Sequence, residues 1–456
     1  MRPLKILLLN IPNENELIGN DPIIIKEQQG VFPPLGLMYI ASYLKKYTIH
    51  DIEFIDTQAE KIDYNILRMI LEANQYDAIC FTSMTFTLID TKLTIDLIKR
   101  VSPKSRIIIG GPHPTIYPDE TLSLGADTVV IGEGEDILPS LVANEFILKN
   151  PPLIARIKEI GGKIQNLDLL PFPYRQNIDK YYCVLSPNKL TTLFTSRGCP
   201  FNCIYCDRPA MGKQFRTRSP ENVVAEIEEC VKLGIKEFFV YDDTFTVDKE
   251  RVYDICREIV KADLDIVLDI RTRVNCVDYD LLRALKYAGL KRIHFGVESG
   301  VQRVLNTLNK GITLEQCRNA FKWCKELKID TLAYFMIGNP TERKEDIDET
   351  YNFCRRLSPD FVHFTILTPF PATKLYSSWL TKHNQDVWQD YASNPTKDFK
   401  PPVWDEFYIR EELQAILRKI YKRYYLRPKF IFNTAKNIRN LTQLKRYIKA
   451  GWSLLK

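Results

Sequence analysis

Short apolar runs recur along this chain, each followed by a longer amphipathic stretch, and that alternation limits the possible folds more than any other feature. In the first 140 residues the runs lie at 5–9, 52–55, 78–82, 106–109 and 128–131. Amphipathic segments at 35–46, 64–73 and 91–101 separate them. Strands this short and this apolar are buried on both faces, and strands alternating with helices build a parallel, doubly wound sheet. Ligands of such sheets lie beyond the carboxyl ends of the strands. Here those ends read Thr82-Ser83-Met84-Thr85, Gly110-Gly111-Pro112-His113 and Gly132-Glu133-Gly134-Glu135.

Breakers crowd the next stretch, with Pro151-Pro152, Gly161-Gly162 and Pro171-Phe172-Pro173, which marks a connector. From 191 the alternation resumes. Strands are predicted at 193–196, 237–241, 266–271, 292–297, 332–337 and 361–367, with helical stretches between them. Six strands are too few for a closed eightfold barrel, so a partial barrel is predicted, again with its site at the carboxyl strand ends. The expected division is a doubly wound domain over 1–145, a linker over 146–190, a partial (β/α)6 barrel over 191–375 and a basic helical region over 376–456. Residues 408–456 hold thirteen Lys and Arg against two Glu, so the net charge of +6 belongs to the tail, and the rest of the chain is net acidic.

Eleven cysteines, an odd number in a chain with no secretion signal, argue against a disulfide framework and for the cytosol. No run of ~18 apolar residues is present to span a membrane. Eight of the cysteines are scattered. The other three fall within eight residues, Cys199-Pro200-Phe201-Asn202-Cys203-Ile204-Tyr205-Cys206, directly after the first barrel strand. Thiolates so spaced suit one soft metal centre. A structural zinc wants a fourth protein ligand, and no Cys or His follows at matching spacing. An iron–sulfur cubane held by three thiolates keeps one iron open for a substrate.

Cys-x3-Cys-x2-Cys opening a partial barrel resembles the radical S-adenosylmethionine (radical SAM) family. Three later stretches match that family in order: Tyr241-Asp242-Asp243-Thr244 in the place of its methionine-binding segment, His294-Phe295-Gly296-Val297-Glu298-Ser299-Gly300 in its ribose segment, and Phe335-Met336-Ile337-Gly338-Asn339-Pro340-Thr341-Glu342 in its adenine-side segment. Thr341 stands where the family has a second glycine. The resemblance covers 190–375. It implies a [4Fe–4S] cluster on Cys199, Cys203 and Cys206, with SAM on the open iron. It implies SAM contacts from Tyr205, which would shield the cluster, and from Asp242, Asp243, Glu298, Ser299, Gly338 and Glu342. A carboxylate such as Glu298 can accept two ribose hydroxyls. Arg271 or Arg273 would hold the SAM carboxylate. The competing readings are a helix cap for Asp242-Asp243 and surface ion pairs for the arginines.

The first 140 residues carry no Gly-x-Gly-x-x-Gly after the first strand, which excludes the usual dinucleotide site. Phe32-Pro33-Pro34-Leu35-Gly36-Leu37, Gly110-Gly111-Pro112-His113-Pro114-Thr115 and Gly132-Glu133-Gly134-Glu135 resemble the cobalamin-binding domain fused to many radical SAM enzymes. The resemblance implies cobalamin contacts at Ser83, Gly110, Gly111, His113, Gly132, Glu133 and Gly134. The Asp-x-His-x-x-Gly motif of an axial histidine is absent, so His113 is assigned to loop packing or the nucleotide-tail pocket.

The family resemblance implies reductive cleavage of SAM to a 5′-deoxyadenosyl radical and methylation, through cobalamin, of an unactivated carbon of a small, hydrophobic substrate. An external one-electron reductant of flavodoxin or ferredoxin type would feed the cluster. A porphyrin or hopanoid-type cyclisation or rearrangement is the alternative outcome. A corrinoid or electron carrier without radical chemistry and a zinc-stabilised binding module are the alternatives of other classes. Aromatics at 370–408, including Phe370, Trp379, Trp388, Tyr391 and Trp404, form either an apolar pocket or core. Basic–aromatic stretches at 421–428 and 444–449 fit either a membrane-surface helix or a solvated helical cap, and no nucleic-acid motif is present.

Overall fold

The computed structural model describes residues 2–17, 30–143, 153–156, 164–176, 178–183, 186–207 and 212–428. The first domain is a parallel sheet of β1 (Lys5–Asn10), β2 (Asp51–Asp56), β3 (Ala78–Thr82), β4 (Arg106–Gly110), β5 (Thr128–Ile131) and β6 (Leu153–Arg156). The strands run β2-β1-β3-β4-β5-β6 across the sheet. The order reverses between β1 and β3, and a crevice opens at such a switch point beyond the carboxyl ends. The five predicted strands are all present. The sixth, β6, lies in the stretch read as a connector and pairs with β5 from Thr128↔Leu153 to Ile131↔Arg156. Helix α1 (Leu35–Tyr47) covers one face, burying Leu35, Leu37, Met38, Ala41 and Leu44.

The second domain is the predicted partial barrel. Its six parallel strands are β7 (Leu190–Leu193), β8 (Glu237–Val240), β9 (Val267–Thr272), β10 (Leu290–Glu298), β11 (Asp330–Ile337) and β12 (Phe361–Ile366), in sequential order. Alternation along each strand sets the packing. On β10, Ile293, Phe295 and Val297 are fully buried beneath the surrounding helices, while Arg292, His294 and Gly296 turn the other way. Helix α2 (Lys344–Leu357) follows β11 and buries Ile347, Tyr351, Phe353 and Cys354 in the same core.

The region after the barrel has no core of its own. Helices α3 (Lys374–His383) and α4 (Val387–Ser393) insert Tyr376, Trp379, Trp388 and Tyr391 into the core of the first domain. Trp388 donates to Pro369 O at 2.8 Å and Trp379 to Val403 O at 3.1 Å. These aromatics are therefore core, and they offer no apolar substrate pocket. Helix α5 (Arg410–Tyr425) packs on β12 instead. There the Tyr421 hydroxyl accepts from Phe364 N at 2.9 Å, and the Tyr424 hydroxyl donates to Pro359 O at 2.6 Å. The aromatic half of the 421–428 stretch is thus committed to the barrel, and the stretch 444–449 lies outside the described residues. Among the described residues no helix is long and apolar enough to cross a membrane.

Candidate active site

The cysteine loop leaves the carboxyl end of β7 and is closed by a small antiparallel ladder, Ser196–Arg197 against Arg216–Thr217. Cys199 is buried, Cys203 half-buried and Cys206 exposed. Backbone bonds fasten the loop to the barrel mouth: Ile204 N to Leu308 O at 3.1 Å, and Leu375 N to Ile204 O at 2.9 Å. The Arg273 guanidinium stacks on Phe201 at 3.9 Å and donates to Cys203 Sγ at 3.3 Å. The scattered cysteines are different. Burial pushes the thiols of Cys80, Cys230, Cys256 and Cys317 up to about 12, which leaves them inert.

Beside the loop, the Tyr205 hydroxyl donates to Glu298 Oε1 at 3.0 Å, and Lys310 Nζ donates to the same oxygen at 2.7 Å. Lys310 also reaches the Tyr205 hydroxyl at 3.2 Å. Glu298 and Lys310 are buried and Tyr205 is half-buried; desolvation, with Glu298 adding to it, raises Tyr205 well above the ordinary phenol value. Glu298 ends β10 at φ +69°, where the register against β11 slips between Gly296 and Glu298. A left-handed residue without glycine costs about 1–3 kcal/mol, and such strain gathers at functional sites. Here it aims the carboxylate across the mouth. No motif pointed to Lys310; its one trace in sequence is a Lys-Gly step in a turn.

Several residues singled out by resemblance do other work. Asp242 accepts from Thr195 N at 2.7 Å, Thr195 Oγ1 at 2.5 Å and Ser196 Oγ at 2.5 Å. It anchors the entry to the cysteine loop, and the following helix is capped by Asp248. Asp243 is exposed. The Ser299 hydroxyl turns to Thr350 Oγ1 at 3.1 Å on α2. Gly338 stands at φ +76° beneath Leu413 of α5. Glu342 closes its own turn, accepting from Asn339 N and Nδ2, each at 3.0 Å, and burial pushes its carboxyl up to about 7. Arg271 lies over Tyr241 at 4.2 Å, on the strand below Arg273.

At the other domain's strand ends, the Ser83 hydroxyl is held by Thr91 Oγ1 at 2.8 Å. Gly111, at φ +106°, presses on Thr82, where a Cβ would come within 2.5 Å of Cγ2. Gly132 N donates to Thr115 Oγ1 at 3.1 Å, and Gly134 packs on Ile40. Glu133 pairs with Arg216 and, at 3.4 Å, with Arg197, while Glu135 meets Arg197 at 2.5 Å. This strand end therefore clamps the ladder that carries the cysteines. His113 is fully buried, with Nδ1 3.2 Å from Thr85 Oγ1 and Nε2 without a partner, and burial lowers it to about 4, so it is neutral.

The donor sets fit two groups. Among the described residues no three His, Cys, Asp or Glu side chains converge on one metal ion, as a zinc site requires. A cubane instead takes each thiolate on a separate iron, and three thiols spread along one loop suit it. In the first domain, the open side of Gly110, where a Cβ would meet nothing nearer than 3.7 Å, and the unpartnered His113 Nε2 suit a large ligand over the sheet edge.

A doubly wound cofactor domain clamped to the cysteine loop of a partial barrel defines a two-cofactor iron–sulfur enzyme. Comparison gives the family. Residues 193–354 match the radical SAM superfamily and residues 22–142 the B12 binding domain. An uncharacterized methyltransferase of Pyrococcus horikoshii is 33% identical, across 94% of both chains. The anaerobic magnesium-protoporphyrin IX monomethyl ester cyclase of Rubrivivax gelatinosus is 28% identical across 93% of this chain and 80% of its own. The solved structure of the cobalamin-dependent S-adenosylmethionine radical enzyme OxsB with aqua-cobalamin bound superposes with a TM-score of 0.73, at 18% identity, over 99% of this chain and 72% of that one. The chain belongs to the cobalamin-dependent radical SAM enzymes, a family of methyltransferases and cyclases whose cofactors are a [4Fe–4S] cluster, SAM and cobalamin.

Proposed function

We propose that this enzyme methylates an unactivated carbon of a small organic substrate, with SAM bound between the cysteine loop and the Tyr205–Glu298–Lys310 group. That group carries the reading: a carboxylate on a strained backbone, a half-buried tyrosine and a buried lysine meet beside three thiols. When bound, the cluster and SAM supply an electron and a 5′-deoxyadenosyl radical, and cobalamin supplies a transferable methyl group. The chain's own residues bind and orient. Cys199, Cys203 and Cys206 ligate the cluster, and Arg273 stabilises the charge on Cys203. Lys310, bonded to Glu298 Oε1 at 2.7 Å, orients that carboxylate as an acceptor for ribose hydroxyls. Tyr205 walls the pocket from water. His113 and the open face of Gly110 receive part of the corrin or its tail. Cys206, the exposed ligand, is the side on which a flavodoxin- or ferredoxin-type reductant donates, in the cytosol. Within 421–425 the tyrosines pack on the barrel and are not free to face a membrane.

The test is anaerobic reconstitution with iron, sulfide and cobalamin, then incubation with reductant and SAM. Methylation chemistry yields 5′-deoxyadenosine together with S-adenosylhomocysteine, the second from methyl transfer to cobalamin. 5′-Deoxyadenosine alone supports the cyclase-type outcome, which the Rubrivivax relative favours. Absence of 5′-deoxyadenosine rejects the radical reading.

A further inference from the structure

The inward faces of the last four barrel strands carry a band of polar and charged groups among apolar ones such as Leu332 and Met336, whereas their outward faces are mostly apolar. On β9, Leu268 and Ile270 are buried against the helices, and Asp269 and Arg271 lie on the opposite side. On β11, Ala333, Phe335 and Ile337 pack outward and Tyr334 inward; on β12, Val362, Phe364 and Ile366 pack outward and His363 inward. The inward groups touch one another across the strands. His294 Nε2 is 3.0 Å from Asp269 Oδ1, His294 Nδ1 is 3.0 Å from the Tyr334 hydroxyl, and the Tyr334 and His363 rings are 5.4 Å apart. Arg292 reaches Asp269 at 3.5 Å. Arg271, Tyr334 and His363 keep partial exposure, so water enters this lumen.

The charges in the lumen do not balance. Two guanidiniums, Arg271 and Arg292, face one carboxylate, and Asp269 is already engaged by Arg292 and His294. Burial lowers His294 despite Asp269 beside it, so it stays neutral. Among the described residues Arg271 has no carboxylate within ion-pair distance. It lies over the Tyr241 ring at 4.2 Å and donates to Val240 O at 3.4 Å, with Tyr334 near enough to feel its charge. A guanidinium on a barrel strand with an aromatic ring on one side and no carboxylate partner suits an oxyanion.

This site differs from the one at the cysteine loop. Arg273 touches Cys203, and Arg271 stands two residues earlier on the same face of β9, roughly 7 Å deeper at ~3.3 Å per residue. On β10, His294 lies four residues before Glu298, roughly 13 Å deeper along the strand. Gly296, between them, lets the Glu298–Lys310 pair lie close over the strand: a Cβ there would sit 2.6 Å from Glu298 Oε1 and 2.8 Å from Lys310 Nζ.

We propose that the lumen anchors an oxyanion of the substrate, a carboxylate or a phosphate, on Arg271 with the Tyr241 and Tyr334 rings around it. The reacting carbon then stands several bonds from the anionic end, near the mouth. The substrate is anionic, and the carbon attacked is remote from its charge. The proposal rests on the mouth being the SAM site, so SAM binding is measured in the same samples.

The experiment is equilibrium dialysis of the SAM-saturated holoenzyme against radiolabelled orthophosphate and, separately, radiolabelled acetate. One saturable site per chain is expected in the millimolar range, and the tighter probe tells phosphate from carboxylate. Arg271→Gln is expected to weaken it by about tenfold or more, the usual effect of losing a charged hydrogen bond, with SAM binding unchanged. Arg271→Lys, which keeps the charge without the planar fork, falls between and serves if the glutamine variant does not fold. Arg355→Gln, far from the lumen, controls for surface binding. No saturable site below about 10 mM, or an anion site indifferent to both Arg271 variants, overturns the proposal. So does a variant that loses SAM instead of the anion. Failure of the mouth as SAM site shows separately, as absent SAM binding in the unaltered enzyme.

Discussion

Replacing Glu133 by Gln tests how the two domains are joined. Glu133 and Arg216 have side chains 5% and 2% exposed, and Glu133 also serves Arg197, itself 4% exposed. The substitution keeps the shape and removes the charge, leaving Arg216 buried without a carboxylate and Arg197 with Glu135 alone. Removing one partner of a buried ion pair costs about 3–5 kcal/mol, because the other charge is left uncompensated. Glu135→Gln leaves Arg197 its contact with Glu133 and is expected to cost less, about 1–3 kcal/mol. Urea unfolding of the anaerobic holoenzyme, followed by fluorescence, measures both, and iron content reports whether the ladder still presents the cysteines. A double-mutant cycle of Glu133→Gln with Arg216→Gln isolates the pair. A Glu133→Gln cost under ~0.5 kcal/mol, a larger cost for Glu135→Gln, or additivity within ~0.5 kcal/mol would show that the clamp does not hold the cysteine ladder.

Other outcomes follow from the same geometry. Lys310→Met removes the ammonium bonded to Glu298 at 2.7 Å and leaves that carboxylate without its orienting partner, so it is expected to weaken SAM binding about 10–100-fold in anaerobic dialysis, with cluster content unchanged. Glu342 has a folded pKa of about 7 against an ordinary value of 4.5, so the folded state binds its proton more tightly than the unfolded state. Its neutral form is the one the fold favours, so that contribution is complete below pH 4.5 and is lost as pH rises through about 7. Glu342→Gln is therefore expected to flatten the decline in thermal stability across that window, with the wild type falling behind above neutrality. His113→Leu is expected to leave the visible spectrum of bound cobalamin unchanged, since this imidazole is not assigned as an axial ligand; a shifted spectrum would contradict that assignment.

The parts of the fold that sequence revealed are those where burial is periodic. The strands of the first sheet and five of the six barrel strands are largely apolar on the helix-facing side, and that pattern survives in composition; the first barrel strand lies at Leu190–Leu193, three residues before the expected 193–196, because Leu-Thr-Thr-Leu carries no alternation. β6 was hidden because Leu153–Arg156 is four residues long, lies between proline and glycine pairs and pairs with one neighbour in the sheet. The cysteine triplet was legible because its spacing is local. Contacts made across the fold were not. Glu133 meets Arg216 across 83 residues, and nothing near Gly132-Glu133-Gly134 distinguishes a clamp from a cofactor loop. Asp242, Ser299 and Glu342 sit where family motifs place SAM contacts, yet their hydrogen bonds are spent on Thr195, Thr350 and Asn339. The aromatics of 370–404 read equally as pocket or core until Trp388 and Tyr391 were seen within the first domain.

The central claim is that Cys199, Cys203 and Cys206 hold a cluster with one iron open to SAM. Electron paramagnetic resonance of the reduced, reconstituted protein tests it most directly. The account predicts the signal of a single [4Fe–4S] cluster in its one-electron-reduced state, whose g-values shift when SAM is added, and which disappears in Cys199→Ala. A protein that carries zinc and gives no signal, or a cluster whose spectrum ignores SAM, would contradict it.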